Sequence, residues 1–249
     1  MCDKIFFIFV LIILYAINLN ILDRKLNKYH KFLTFSEYYE DVILYIILSD
    51  IKNGFYIDIG AYDPSKVSVT KAFYLMGWTG INIEPQPNQI NLFYRDRPND
   101  TNLQLGVGKK KGISKFYVHD QCSTIQKKYA EKNNNITKIK IDTMSNICRR
   151  YVPKGKKIDF CKIDVEGNEK DVLLGYDFIH YRPKVFCIES TIPKTMIPNH
   201  NLWEEIIIKN NYTFVYSRGV NRFYVDNNFP NLLSKAQNIE YILQKKLQH

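Results

Sequence analysis

Apolar residues fall along the chain in short runs separated by polar, glycine- or proline-bearing stretches, and the runs alternate between two periods. Phe55 to Ile59, Ile81 to Glu84, Asn102 to Val107, Lys157 to Val165 and Lys184 to Ser190 are brief, apolar and rich in β-formers, the pattern of buried strands. Between them apolar positions recur at helical spacing. This predicts helices within Thr34 to Ser49, from Pro64 to Gly77, over Asn88 to Arg95, from an Asp142 cap to Tyr151, from Glu169 to Leu174 and over Leu202 to Lys209. Ser114 to Val118 and Ile136 to Ile141 read as further extended segments, and Tyr212 to Tyr216 with Arg222 to Val225, joined across Arg218-Gly219, as a closing hairpin. A peripheral helix is expected from Asn231. The order predicts an α/β fold: a mostly parallel sheet with helices on both faces and a C-terminal antiparallel hairpin.

The stretch Gly54 to Pro64 organises this pattern. Asp58 stands near the end of the first strand, and Gly60-Ala61 opens a tight turn where backbone can approach a ligand closely. Asp63-Pro64 reads as a helix start, with Asp as N-cap and Pro in the first turn. The irregular segment Asp120 to Asn135 is the best candidate for a mobile loop over a site, and a Pro-bearing loop holding Pro193, Pro198 and His200 is the second loop of interest.

Before the α/β pattern, Ile5 to Ile17 is almost wholly apolar and continues to Leu22 across Asn18 and Asn20. Two divisions follow: an N-terminal hydrophobic segment over 1–30, a membrane anchor or signal, and the α/β domain over 31–249. No small-x-small cleavage site follows the run, which favours an anchor. Lys4 precedes it, while Arg24, Lys25, Lys28 and Lys31 follow, so a single-pass segment would keep the domain cytosolic. The alternative is the secretory pathway or secretion. Three Asn-x-Thr triplets, at Asn99, Asn135 and Asn211, carry no argument for a lumen in so asparagine-rich a chain.

The 249 residues, 45% of them apolar, suffice for one sizeable domain with a full core. The net charge of +10 invites a polyanion as partner, but the lysines are scattered rather than striped and the densest run, Lys109-Lys110-Lys111, sits between Gly108 and Gly112 as a solvated turn. The five cysteines match no zinc spacing, and Cys161 and Cys187 lie inside apolar runs as small hydrophobes. The cysteine spacing assigns no metal ligand.

Two acids at strand ends bear on the ligand. Asp58 ends the first strand and Glu84 the second, where an open α/β sheet binds its ligand and an acid can accept hydrogen bonds from ribose hydroxyls. Both NAD and S-adenosylmethionine fit so far. The turn Gly60-Ala61-Tyr62-Asp63-Pro64 keeps only one glycine of the pyrophosphate fingerprint, and Asp63 would repel a phosphate. A donor that is positive at its ammonium and sulfonium gains from such acids.

Three blocks, Phe55-Tyr56-Ile57-Asp58-Ile59-Gly60-Ala61, Gly77-Trp78-Thr79-Gly80-Ile81-Asn82-Ile83-Glu84-Pro85 and Lys162-Ile163-Asp164-Val165-Glu166-Gly167-Asn168-Glu169, resemble the FkbM-type S-adenosylmethionine-dependent methyltransferases. The resemblance runs from about Gly54 to about Val225. It implies the class I methyltransferase (Rossmann-like) fold, S-adenosyl-L-methionine as cofactor, and O-methylation of a hydroxyl-bearing acceptor such as a sugar, glycan or related small molecule. Carried onto this chain, it places Asp58, Gly60 and Ala61 at the methionine end of the donor, Glu84 at its ribose and Gly106 near its adenine, with Tyr62 among the cofactor-binding residues. Asp164 and Glu166 would stand between donor and acceptor. Asp164 is the first choice of general base and His200 the second; Glu166 would orient the acceptor or help Asp164 hold a divalent ion. Pro64 departs from the class I pattern, where many enzymes carry another glycine. Glu169 reads as a first-turn helix acid, and Glu189, ending the fifth strand, as structural or facing the site. Two other readings stay open: a membrane-tethered, non-catalytic binding module of the same fold, and a nucleic-acid methyltransferase. Against the latter stands the absence of an Asn-Pro-Pro-Tyr-like motif after the fourth strand.

Overall fold

The structure, a computed structural model, describes residues 33–132 and 135–240. The expected hydrophobic segment over 1–30 lies outside these residues. From Thr34 onward the chain forms one unit. In order it runs α1 (Glu40–Leu48), β1 (Phe55–Ile59), α2 (Lys71–Leu75), β2 (Thr79–Ile83), α3 (Pro87–Asp96), β3 (Thr101–Leu103), β4 (Gly106–Val107), β5 (Gly112–Val118), β6 (Asn135–Asp142) and α4 (Met144–Tyr151). Then follow β7 (Phe160–Ile163), α5 (Glu169–Leu174), β8 (Val185–Glu189), α6 (Glu204–Lys209), β9 (Tyr212–Arg218), β10 (Asn221–Asp226) and α7 (Pro230–Gln237).

Among the described residues, a seven-stranded sheet has the order β3-β2-β1-β7-β8-β10-β9. The pairings β3-β2, β2-β1, β1-β7 and β7-β8 are parallel, whereas β10 is antiparallel to both β8 and β9. This is the expected mostly parallel sheet closed by a hairpin. β1, β7 and β8 are buried along their whole length, which is why they read as continuous apolar runs. On one face Ile57, Ile59, Cys161, Ile163 and Ile188 pack with Ile147 of α4, Val172 of α5 and Ile207 of α6. On the other, Tyr56 and Phe160 stack and Phe73 of α2 and Trp78 close over them, with ring centroids 4.8–6.1 Å apart. Gly80 and Gly54 lack side chains where these rings lie: a Cβ on Gly80 would sit 2.2 Å from the Tyr56 ring, and one on Gly54 2.4 Å from that of Trp78.

Three local expectations are corrected. The helix does not begin at Asp63-Pro64 but at Lys71. The Asp63 carboxylate accepts hydrogen bonds from the Ser65 and Lys66 N–H groups at 2.8 and 2.9 Å, as a cap would. Propagation stops because Val67 is left-handed (φ 51°) and Ser68 N–H donates to the Phe35 carbonyl. The run Asn102 to Val107 is two strands in two sheets: a tight turn, Leu105 N–H to Leu103 C=O at 3.2 Å, redirects the chain, and β4 joins a second sheet of order β4-β6-β5. The cap of α4 is Thr143, whose hydroxyl accepts from Asn146 N–H, rather than Asp142.

Candidate active site

A cavity of about 220 Å³ opens beyond the carboxyl ends of β1, β2, β7 and β8, where the strand order turns back at β1 and β7. The turn after β1 is the tightest piece of it. Gly60 (φ 76°) and Ala61 both donate their N–H to the Ile83 carbonyl, at 3.0 and 3.1 Å, which binds this turn to the end of β2. Glu84 follows β2 and is 4% exposed. Its two oxygens accept from the Tyr62 and Gln86 N–H groups at 3.0 and 2.8 Å. Burial pushes its carboxyl up to about 7 despite those bonds. Tyr62 in turn spans the rim, its hydroxyl donating to Asp120 at 2.6 Å.

Asp58 is buried beneath this turn. One carboxylate oxygen accepts from the Thr70 hydroxyl at 3.0 Å; the other, Oδ1, has no partner. Burial raises its pKa, and the Lys162 ammonium opposes the rise. Asp58 and Lys162 occupy paired positions on β1 and β7. Lys162 Nζ reaches Asp164 Oδ2 at 3.0 Å. Burial acts to lower the pKa of this lysine, but Asp164 and Asp58 prevail and hold it well above the ordinary value.

Beyond β7 the chain turns through Val165, Glu166 and Gly167. Glu166 (φ 53°) and Gly167 (φ 92°) are both left-handed. Glu169, in the first turn of α5, accepts from the Val165 and Gly167 N–H groups at 3.3 and 3.0 Å, so it fastens the loop as well as suiting the helix dipole. The segment after β5 packs on the same loop: the Thr124 hydroxyl donates to the Glu166 carbonyl at 2.8 Å, and the Tyr129 ring fills the place of a side chain at Gly167. Cys122 and Ile125 of that segment line the cavity, as do Thr191 and Lys194 of the proline-bearing loop.

The acids converge at the mouth. Asp164, Glu166 and Glu189 each place an oxygen within 4.8 Å of the other two. Burial, then the neighbouring Asp164 and Glu169, pushes the Glu166 carboxyl up to about 8. Burial with the charges of Asp164, Glu169 and Glu166 drives Glu189 well above the carboxylate range. Such a cluster favours a proton, a cation or a cationic ligand.

The structure therefore brings Asp58, Gly60, Ala61, Tyr62, Glu84, Gly106, Asp164 and Glu166 to one cavity. The sequence profile of the Methyltransferase FkbM domain matches residues 58–216, spanning the strand ends that build it. The chain belongs to the FkbM methyltransferase family.

A crystal structure of methyltransferase FkbM from Methylobacillus flagellatus KT is similar at 14% identity, with a TM-score of 0.42, covering 70% of this chain and 43% of that one. The chain thus spans less than half the length of that FkbM protein. No curated protein matches it. His200 lies apart from the other expected FkbM site residues: it is not among those lining the cavity, and its Nε2 faces Glu204 at 3.8 Å. Sequence reasoning passed over Lys162, although a lysine within the apolar run Phe160 to Ile163 signals a buried acid partner. It also passed over Glu37 and Tyr38, which line the cavity from ahead of α1 and precede the FkbM match; nothing in their local pattern marks them.

Proposed function

We propose that this FkbM-family methyltransferase is an S-adenosylmethionine-dependent O-methyltransferase acting on a hydroxyl of a sugar, glycan or related small molecule. The observation that carries the reading is Glu84, a buried carboxylate held by two backbone N–H groups at the end of β2, where it can accept from a ribose diol. The donor-side residues fit the group. Asp58 Oδ1 is a buried carboxylate oxygen with no partner, suited to a cationic ligand, and the turn from Gly60 to Asp63 offers no pyrophosphate cradle. Asp58, Gly60, Ala61 and Tyr62 would hold the methionine end, Glu84 the ribose and Gly106 the adenine side. When bound, the donor supplies a methyl group on a positively charged sulfur.

The protein's own part is to position and to manage a proton. Asp164 and Glu166, beside the donor residues, would orient the acceptor hydroxyl and take its proton. Lys162 fixes Asp164 by its 3.0 Å ion pair. The acid-lined mouth suits a neutral hydroxyl compound and repels a polyanion, which supports a small-molecule acceptor over nucleic acid. The apolar run over 1–30 and its basic flank support membrane attachment with the domain on the cytosolic side; retention in the pellet after carbonate washing tests it.

The direct test is titration of S-adenosylhomocysteine into the protein and into Glu84→Ala, followed by labelled S-adenosylmethionine with a panel of glycans, lipids and small hydroxyl compounds. Binding weakened by Glu84→Ala, with label on a hydroxyl compound, is the expected result. Undiminished binding in that variant removes Glu84 from the ribose.

A further inference from the structure

We propose that Asp164, Glu166 and Glu189 form a binding site for one hard divalent cation, of the Mg²⁺, Mn²⁺ or Ca²⁺ class, at the acceptor end of the cavity. The three side chains come from the end of β7, the loop after it and the end of β8, so the site closes only when the parallel sheet is formed. One oxygen of each lies within 4.8 Å of the others. Opposite ligands of an oxygen-coordinated ion stand about 4.0–5.2 Å apart, twice the usual metal–oxygen distance. The cluster is therefore already the size of one coordination shell.

A separate observation marks it as a site for a ligand. Glu189 is 5% exposed, lines the cavity, and its Oε2 meets no hydrogen-bond donor. Glu166 Oε2 is likewise buried without a partner. Among the described residues, the ion pair to the trio is that of Lys162 with Asp164. Buried carboxylate oxygens left without donors are costly in any fold, and an ion is the partner that serves several at once. All three ligands are carboxylates, with no imidazole or thiolate, which selects against zinc and copper. Three protein ligands leave positions for water and for an acceptor oxygen. The ion would hold that hydroxyl and lower its pKa, so that its proton leaves to solvent or to a free carboxylate. This last role rests on the methyltransferase reading above; the ion's binding does not.

The test uses the full chain, stripped of metal with a chelator, and Mn²⁺ as the probe, its binding read by loss of the free-ion electron paramagnetic resonance signal with no donor present. One ion per chain with a dissociation constant below about 1 mM, displaced by Mg²⁺ or Ca²⁺, is expected. Glu189→Gln and, independently, Glu166→Gln should each weaken binding at least tenfold with the circular dichroism spectrum retained. The Glu166 variant guards against misfolding of the more buried one. No binding by the folded wild type, or binding unmoved in a folded variant, overturns the proposal. S-adenosylhomocysteine titrated into the same stripped protein separates the two readings. Mn²⁺ without nucleoside binding keeps the cation site and removes the donor; the reverse keeps the donor and removes the ion.

Discussion

Gly60 faces the backbone carbonyl of Asp164 so closely that a Cβ at residue 60 would lie 1.7 Å from that oxygen. The turns after β1 and β7, one lining the donor side and the other carrying the acids, are thus in backbone contact. Gly60→Ala is expected to lower stability by more than the roughly 1 kcal/mol that a left-handed φ alone costs. Gly77→Ala is the control: its φ is 84°, but its nearest neighbour would be 3.9 Å away. Chemical denaturation of both variants should rank Gly60→Ala as the more damaging, with donor affinity lost in that variant only.

Glu84 predicts a pH dependence. Its carboxyl titrates near 7 in the folded protein because it is buried, against 4.5 for an ordinary glutamate. The folded state holds this proton more tightly than the unfolded one. The stability it contributes is therefore present below about pH 4.5 and lost as pH rises through about 7. Each tenfold difference in proton affinity between the two states is worth roughly 1.4 kcal/mol, so a rise from 4.5 to about 7 makes the loss at most roughly 3–4 kcal/mol. Glu84→Gln should flatten the stability profile between those values, as measured by urea unfolding across pH.

Arg97 tests the support beneath the turn. Its side chain is fully buried and donates to the Pro64 carbonyl, the Ser68 hydroxyl at 3.1 Å and the Tyr56 hydroxyl at 3.2 Å, with Asp100 at 3.9 Å. Lysine cannot reproduce that fork. Arg97→Lys keeps the charge but leaves some of these buried acceptors without a donor, and is expected to cost about 1–3 kcal/mol. The Arg97 guanidinium also touches Thr70, which holds Asp58, so donor affinity should fall along with the unfolding midpoint.

Asp164→Asn separates holding the donor from using it. The amide keeps the shape but can neither take a proton nor carry a full charge. Turnover should fall by roughly 100-fold or more, with S-adenosylhomocysteine affinity changed only a few-fold. Unchanged turnover with any acceptor that works on the wild type would take Asp164 out of the reaction.

The legible parts of the fold were those decided by burial. Phe55 to Ile59 and Val185 to Glu189 lie wholly inside the sheet, so composition alone marks them as strands. The second sheet was not legible: β4 is two residues long, and Asn102 to Val107 reads as one run until Leu105 turns back on Leu103. The helix start at Pro64 failed because Asp63 does cap a turn, and its continuation is stopped further on by the left-handed Val67 and the Ser68 N–H bond to the Phe35 carbonyl. At the site, Asp58 and Glu84 were readable from their place at strand ends. Lys162 was not, and Glu189 stayed open between structure and site, since what matters in them is three-dimensional convergence rather than spacing.

Tyr62, Val67, Glu166 and Lys194 all hold positive φ without being glycine, and all four line the cavity. Strain of that kind persists only where the surrounding fold enforces it. A screen of this chain for heat resistance alone should therefore be drawn to these positions, where glycine or asparagine relieves the backbone. The hardier proteins it returns should be the poorer catalysts, their cavity walls free to relax away from the shape that the rest of the molecule imposes on them.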